Sequence, residues 1–464
     1  MIATDLATWT EHLRLADIPD RVQTIATRHL LDGVGNALAA RRLGHGLGAW
    51  TVAHALGGPA QARAVTGRQA VSSPAATLAT GVLLHALDFD DTHTRGLVHA
   101  TAVSLPAAFS VGQEVAASGA EILTAAVAGL ETVCRLGAAS PHGFHTRGLH
   151  ATAVCGTLSS ALVAGRLTSL SAPRLIDALG IAGSASGGLM EFLDTGADTK
   201  SLHPGMAGTN GVLAARLAAA GASGPASVIE GDRGIYRALS ASAAEPDAVT
   251  RALGQRWETE RISIKPYPSC QLMHAALDAV AAAPRVAPDS IAEVEVAVHP
   301  DSVAIVCGPH AGTAPPYSSY AAKFDLPWSV AALLTDAEVT VGTYADDSIA
   351  RPDVAALAGR VRVVPTFTGG PAADAPGRAV IRLTDGSAVV GEVAGSRGTR
   401  ANPLSEDDVL AKFVDNCGAH RRATELAERI RGLAAEQSLT AVLDLAAEIA
   451  ETDGDRSPSS SKGQ

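Results

Sequence analysis

The chain has 464 residues, 47% of them hydrophobic and 18% charged, which excludes a disordered protein and supplies core for two or three domains. Only 3% is aromatic while glycine numbers 46, so helices packed through small side chains are expected rather than a β-sandwich. The formal net charge of −11, with no Lys/Arg run, excludes a general nucleic-acid binder, because neutralising phosphates needs a basic face.

The opening MIATDLATWTEHLRLADIPD carries acids and Arg14 and lacks the apolar stretch and cleavage site of a secretory signal. No apolar run reaches the ~18 residues that span a bilayer, and the expectation is a cytoplasmic protein without membrane contact. From residue 20 to about 260 the pattern is helical. Ile25, Leu30, Leu31, Val34 and Leu38 recur at helix spacing, and Ala-rich segments follow at 74–87, 102–118, 121–137, 151–169, 174–188 and 205–221.

The densest polar cluster along this half is His85-Ala-Leu-Asp88-Phe-Asp90-Asp91-Thr92-His93, set in apolar sequence. A helix continuing through it puts His85, Asp88 and Thr92 on one face at i, i+3 and i+7 and turns Asp90 away. Three carboxylates and two imidazoles interrupting an apolar run favour a site over a solvated helix end. Zinc or manganese ligation is the rival reading, without the paired histidines of an HExxH motif to support it. Further imidazoles follow at His99 and at His142, His145 and His150, able to carry protons near neutral pH if they converge. Lys200 precedes a helix expected to begin near Pro204, a favourable place for an anionic group.

Lys265-Pro-Tyr-Pro-Ser-Cys270 marks a change of character. Residues 290–299 alternate in a strand rhythm, 360–366 form a second candidate, and 379–384 pair with 388–393 across the hairpin dipeptide Asp385-Gly386. Helices return after Pro403, with Ser405 as N-cap, then at 419–433 and 439–451. The expected organisation is mainly α: a large all-helical domain from 1–264 and 398–452, an inserted smaller α+β lid at 265–397, and a disordered tail at 453–464. The five cysteines are scattered without a CxxC pair and read as reduced thiols, and no iron–sulfur spacing exists. There is no GxSxG elbow, Walker A loop or strand-borne GxGxxG.

Segments running in order along nearly the whole chain resemble the MmgE/PrpD family: HALDFDDTHTRGLVHATAVSLPAA, GFHTRGLHATAVCGTLSSALVAGRL, GLMEFLDTGADTKSLHPGMAGTNGVLAARLA, GPASVIEGDRGIY, RISIKPYPSC and KFDLPWSVAALL. The resemblance implies a helical domain with an α/β lid, usually a homodimer, and chemistry on small polycarboxylates without metal or other cofactor. Its reactions are dehydration of a citrate-like hydroxy acid, decarboxylation and epimerisation. It places the family's active-site Asp, Thr, two His and two Lys on Asp88, Thr92, His99, His150, Lys200 and Lys265. Trp328 stands where the family has a lid tyrosine, and Cys270 where its decarboxylases have a histidine. Both departures count against decarboxylation. From the Asp88, His150, Lys200 and Lys265 constellation the leading expectation is a hydro-lyase in which Asp88, with His150, transfers the proton and the lysines bind carboxylates; a decarboxylase or epimerase on the same scaffold is the first alternative, and a non-catalytic metabolite binder the second.

Overall fold

The computed structural model describes residues 1–241, 244–307 and 316–452. The expected disordered tail lies outside them. Helix Asp20–Arg42 runs through the larger core, burying Leu30, Leu31, Val34 and Leu38 as their spacing predicts. Ser73–His85, Ala100–Glu114 and Gly119–Ala138 pack on it, and Ala151–Leu167 and Thr199–Ala219 form the next layer on those helices. The core collects side chains from Ile2 to Ile264 and again from Leu404 to Ile449, so the two ends of the chain share one interior. The last helices enter it through the expected cap: Ser405 accepts from Asp408 N while the Asp408 carboxylate takes the Ser405 N–H.

A second core runs from Tyr267 to Ile381, joined by Leu97. Its four-stranded sheet has the order Val361–Pro365, Ile291–Val298, Gly377–Leu383, Ala388–Val393, with the first pair parallel and the others antiparallel. All four strands fall on the expected segments, and Gly386 takes φ +87° in the hairpin turn. No helix among the described residues is long and apolar enough to cross a membrane.

Two close approaches set the site. Helices Ser73–His85 and Thr199–Ala219 meet at Gly81 and Gly205, where a Cβ on Gly81 would lie 2.7 Å from the Gly205 Cα. Only glycine permits that contact, and it brings the start of one helix beside the end of the other. The antiparallel pairing of Thr92–His93 with Ile262–Ser263 then lays the segment leading to Lys265 against the loop after His85.

Two local expectations are corrected. The helix does not continue through Thr92; it ends at His85, and Asp88 adopts the left-handed φ of +52° that turns the chain. The helix expected near Pro204 starts at Thr199, and the proline sits inside it at the cost of one backbone hydrogen bond.

Candidate active site

A small cavity of about 50 Å³ lies between the two cores. Asp88, Thr92, His99, His150, Lys200 and Lys265 all line it, together with Cys270 and His145 and the apolar Phe192, Ile305 and Phe324. Six residues chosen from the sequence thus converge. Trp328 does not line the cavity: it is buried in the second core, its indole nitrogen without a hydrogen-bond partner among the described residues. A large apolar ring in the first turn of a buried helix serves packing there, and a position facing substrate is not what the fold gives it.

Three helices aim their N-termini at this cavity. His99 is the N-cap of Ala100–Glu114, His150 the N-cap of Ala151–Leu167, and Lys200 the second residue of Thr199–Ala219. The positive ends of the helix dipoles favour anions at such a point. Lys200 and Lys265 add ammonium groups; both are paired with Asp88, at 2.5 Å and 3.4 Å. The aromatic ring of Phe324 lies 5.1 Å from the Lys200 Nζ and forms part of the apolar wall.

Asp88 is fully buried, which alone would raise its pKa, but Lys200 and Lys265, with His99 and His85 beyond, override this and hold it well below the ordinary carboxylate range. The imidazoles go the other way. Burial pulls His99 down to about 4 despite the opposing pull of Asp90, and it takes His150 well below its ordinary value with Lys200 and His203 adding repulsion. Both are therefore neutral at physiological pH, and Lys200 and Lys265 are the cations that line the cavity. Cys270 is a neutral thiol, raised by burial and by the Asp88 charge.

Asp90 departs from its expected place facing away from the site. Because the helix has already ended, it is buried beneath the cavity, 2.9 Å from His85 Nδ1 and 3.3 Å from His99 Nδ1. Asp91 bonds the Thr101 backbone N–H at 3.1 Å and pairs with His29 at 3.0 Å, pinning the loop to the next helix. His203 was missed from sequence; it meets His150 at 3.1 Å through their Nδ1 atoms. Its signal was available, since it stands three residues after Lys200 on the same helical face.

His85, His99 and His150, or His85, Asp88, Asp90 and His99, have donor atoms close enough to hold a metal ion. The carboxylates of that set already have counter-charges or hydrogen-bond partners: Asp88 pairs with two ammonium groups, Asp90 with two imidazoles. A divalent cation here would face Lys200 and Lys265 at short range, so the chemistry of the donor set suits an anion better.

The MmgE/PrpD N-terminal domain matches residues 4–246 and the MmgE/PrpD C-terminal domain residues 267–437. The chain is 26% identical over 470 residues to a cis-aconitate decarboxylase of Aspergillus terreus, covering 96% of this chain and 95% of the relative. It is 25% identical over 443 residues to a cis-aconitate decarboxylase-like protein of Aspergillus oryzae, covering 89% of each. With the cis-aconitate decarboxylase of Homo sapiens it shares 27% identity over 361 residues, 74% of this chain and 72% of the relative.

Proposed function

The chain belongs to the MmgE/PrpD family, and from that premise we propose that it is a lyase acting on a small di- or tricarboxylate, with dehydration of a citrate-like hydroxy acid as its reaction. The observation that carries the reading is the cavity itself, where Lys200 and Lys265 flank Asp88 at the meeting point of three helix N-termini. A substrate carboxylate entering there competes with Asp88 for the two ammonium groups. Losing part of their pull restores basicity to Asp88, which the resting pairing suppresses.

Removal of a proton next to a carboxylate places charge on its oxygens, and preorganised ammonium groups stabilise that charge without reorganising. We assign the proton transfer to Asp88 with the neutral imidazole of His150, both on the cavity wall; the proton so taken is returned to the β-hydroxyl, which leaves as water and completes the elimination. Phe192, Ile305 and Phe324 keep the surroundings apolar, which strengthens each charge interaction.

Decarboxylation of an unsaturated tricarboxylate is the second reading, favoured by the names of the relatives. Against it stands Cys270, a neutral thiol at the position where the resemblance places a histidine in decarboxylases. Incubation with citrate, 2-methylcitrate, cis-aconitate and iminodisuccinate, followed by NMR, separates the two: loss of water supports the first, release of carbon dioxide the second. Turnover of no polycarboxylate removes the substrate class, and tight binding without turnover favours a metabolite binder. We propose also that the chain forms a homodimer through its larger helical unit.

A further inference from the structure

Asp88 owes its position to a backbone turn, and three lysines hold that turn by three consecutive carbonyls. Lys323 Nζ donates to the carbonyl oxygen of Leu87 at 2.9 Å, Lys265 Nζ to that of Asp88 at 2.8 Å, and Lys412 Nζ to that of Phe89 at 2.9 Å. They come from distant parts of the chain: Lys323 from the second core's helical edge, Lys265 from the junction, Lys412 from helix Glu406–Asn416. Each also ties the turn to something else. Lys323 reaches the Pro268 carbonyl at 3.3 Å, and Lys412 reaches the Lys265 carbonyl at 2.9 Å while pairing with Asp32 at 2.7 Å.

Lys323 is the informative member. It is 2% exposed, forms no ion pair among the described residues, and sits 4.8 Å from the face of the Tyr344 ring. Burial pulls its ammonium down to about 7, with Asp88 opposing and Lys265 and Lys200 adding to the fall. A buried cation without a carboxylate is a costly way to fill space that a methionine would fill. What it supplies, and an apolar chain would not, is donors for the Leu87 carbonyl at the C-terminal end of a helix.

We infer that Lys323 and Lys412 are positioning residues that act through Asp88. With Leu87 and Phe89 fixed on either side, the left-handed Asp88 is over-determined and its carboxylate is held toward Lys200 and Lys265. Because Lys323 belongs to the second core, the turn is complete only when that core is seated on the first. Neither residue lines the cavity, so neither binds substrate. The inference rests on the proposed lyase reading for its rate consequence but not for its structural one.

The test compares Lys323→Met with Lys323→Gln, whose amide keeps one donor group, and adds Lys412→Met combined with Asp32→Asn so that no buried charge is left unpaired. For the substrate identified by the product screen, Lys323→Met lowers kcat by about 10–100-fold with KM changed less than about threefold, and Lys323→Gln falls between it and wild type. Backbone hydrogen exchange in the peptide 85–93 quickens in the same order and stays unchanged in helix Gly119–Ala138. Folded variants with wild-type kcat and wild-type exchange at 85–93 overturn the inference, and so does a loss confined to melting temperature. Should Lys323→Met fail to fold, Lys323→Gln and the Lys412 double variant decide by the same readings. If the wild type turns over no polycarboxylate, the lyase reading fails by itself, and exchange at 85–93 still judges the turn.

Discussion

Both carboxylate oxygens of Asp90 lie 2.9 Å from Nδ1 of His85, so a residue five positions along the chain fixes one imidazole from beneath the cavity. The same carboxylate is 3.3 Å from His99, and the rings of His85 and His99 stand 4.4 Å apart. Asp90 therefore sets the orientation of two histidines without touching the cavity itself.

Substitution separates this role from that of Asp88. Asp88→Asn keeps size but removes the negative charge between two ammonium groups, and the rate falls by about 10²–10⁴-fold. Asp90→Asn leaves Asp88 and the lysines in place but lets His99 reorient, and a displacement on the order of 1 Å costs up to about 10²-fold. Steady-state kinetics on both folded variants checks the ranking; equal losses at Asp88 and Asp90 point instead to a shared metal.

That ranking differs from the one sequence alone supports, and the reason is physical. Periodicity showed the helices, the strand alternation showed the sheet, and the polar interruption at 85–93 showed where chemistry gathers. Periodicity assumes that the helix continues, whereas it stops at His85 because Asp88 turns left-handed, and this carries Asp90 from an outward face into the interior. Lys323 and Lys412 were invisible for another reason: each acts through contacts with carbonyls more than two hundred residues away in sequence, which no local pattern marks.

Acid should destabilise the fold well above the carboxylate range. His99 and His203 are held at about 4 and His145 at about 3 by burial, against an ordinary 6.5. Below 6.5 the unfolded chain binds protons that the folded chain refuses, so stability declines as pH falls toward 4. Asp88 and Asp90, depressed by their partners, add their own loss only at lower pH. Melting curves should show Tm falling by on the order of 5 °C or more between pH 7 and 4.5. His145→Gln with His203→Gln should flatten that slope; an unchanged slope contradicts the assignment.

Exhaustive chelation should leave turnover unchanged. Asp88 is paired with two ammonium groups and Asp90 with two imidazoles, and Lys200 and Lys265 oppose a further positive charge. Activity lost to a chelator and restored by zinc or manganese would show that the clustered donors hold an ion after all.

The proposed dimer has a place to form. Helix Thr199–Ala219 presents Met206, Leu213 and Leu217 at 52%, 43% and 50% exposure, and helix Leu47–Leu56 presents Val52 and Leu56 at 50% and 67%. Both helices pack on Ser73–His85. Met206, Leu213 and Leu217 fall on one stripe, and an uncovered apolar stripe of that kind marks an interface. Sedimentation should give a dimer for wild type at micromolar concentration and a monomer for Leu213→Glu with Leu217→Glu. A monomeric wild type sinks the proposal.

Lys265 offers the sharpest division between binding and chemistry. Its ammonium bonds the Asp88 carbonyl at 2.8 Å and also faces the Asp88 carboxylate at 3.4 Å, so it fixes the turn and presents charge to the cavity at once. Removing it in Lys265→Ala takes away a cation that a substrate carboxylate meets in the ground state and again as charge develops. KM should therefore rise and kcat fall together, each by about tenfold or more. Lys323→Met touches the turn alone, and should lower kcat with KM nearly unchanged. Calorimetric titration with citrate gives the same contrast without turnover: affinity lost in Lys265→Ala and kept in Lys323→Met. A Lys265→Ala protein that binds citrate as well as wild type would remove Lys265 from the carboxylate site and leave it only its bond to the Asp88 carbonyl.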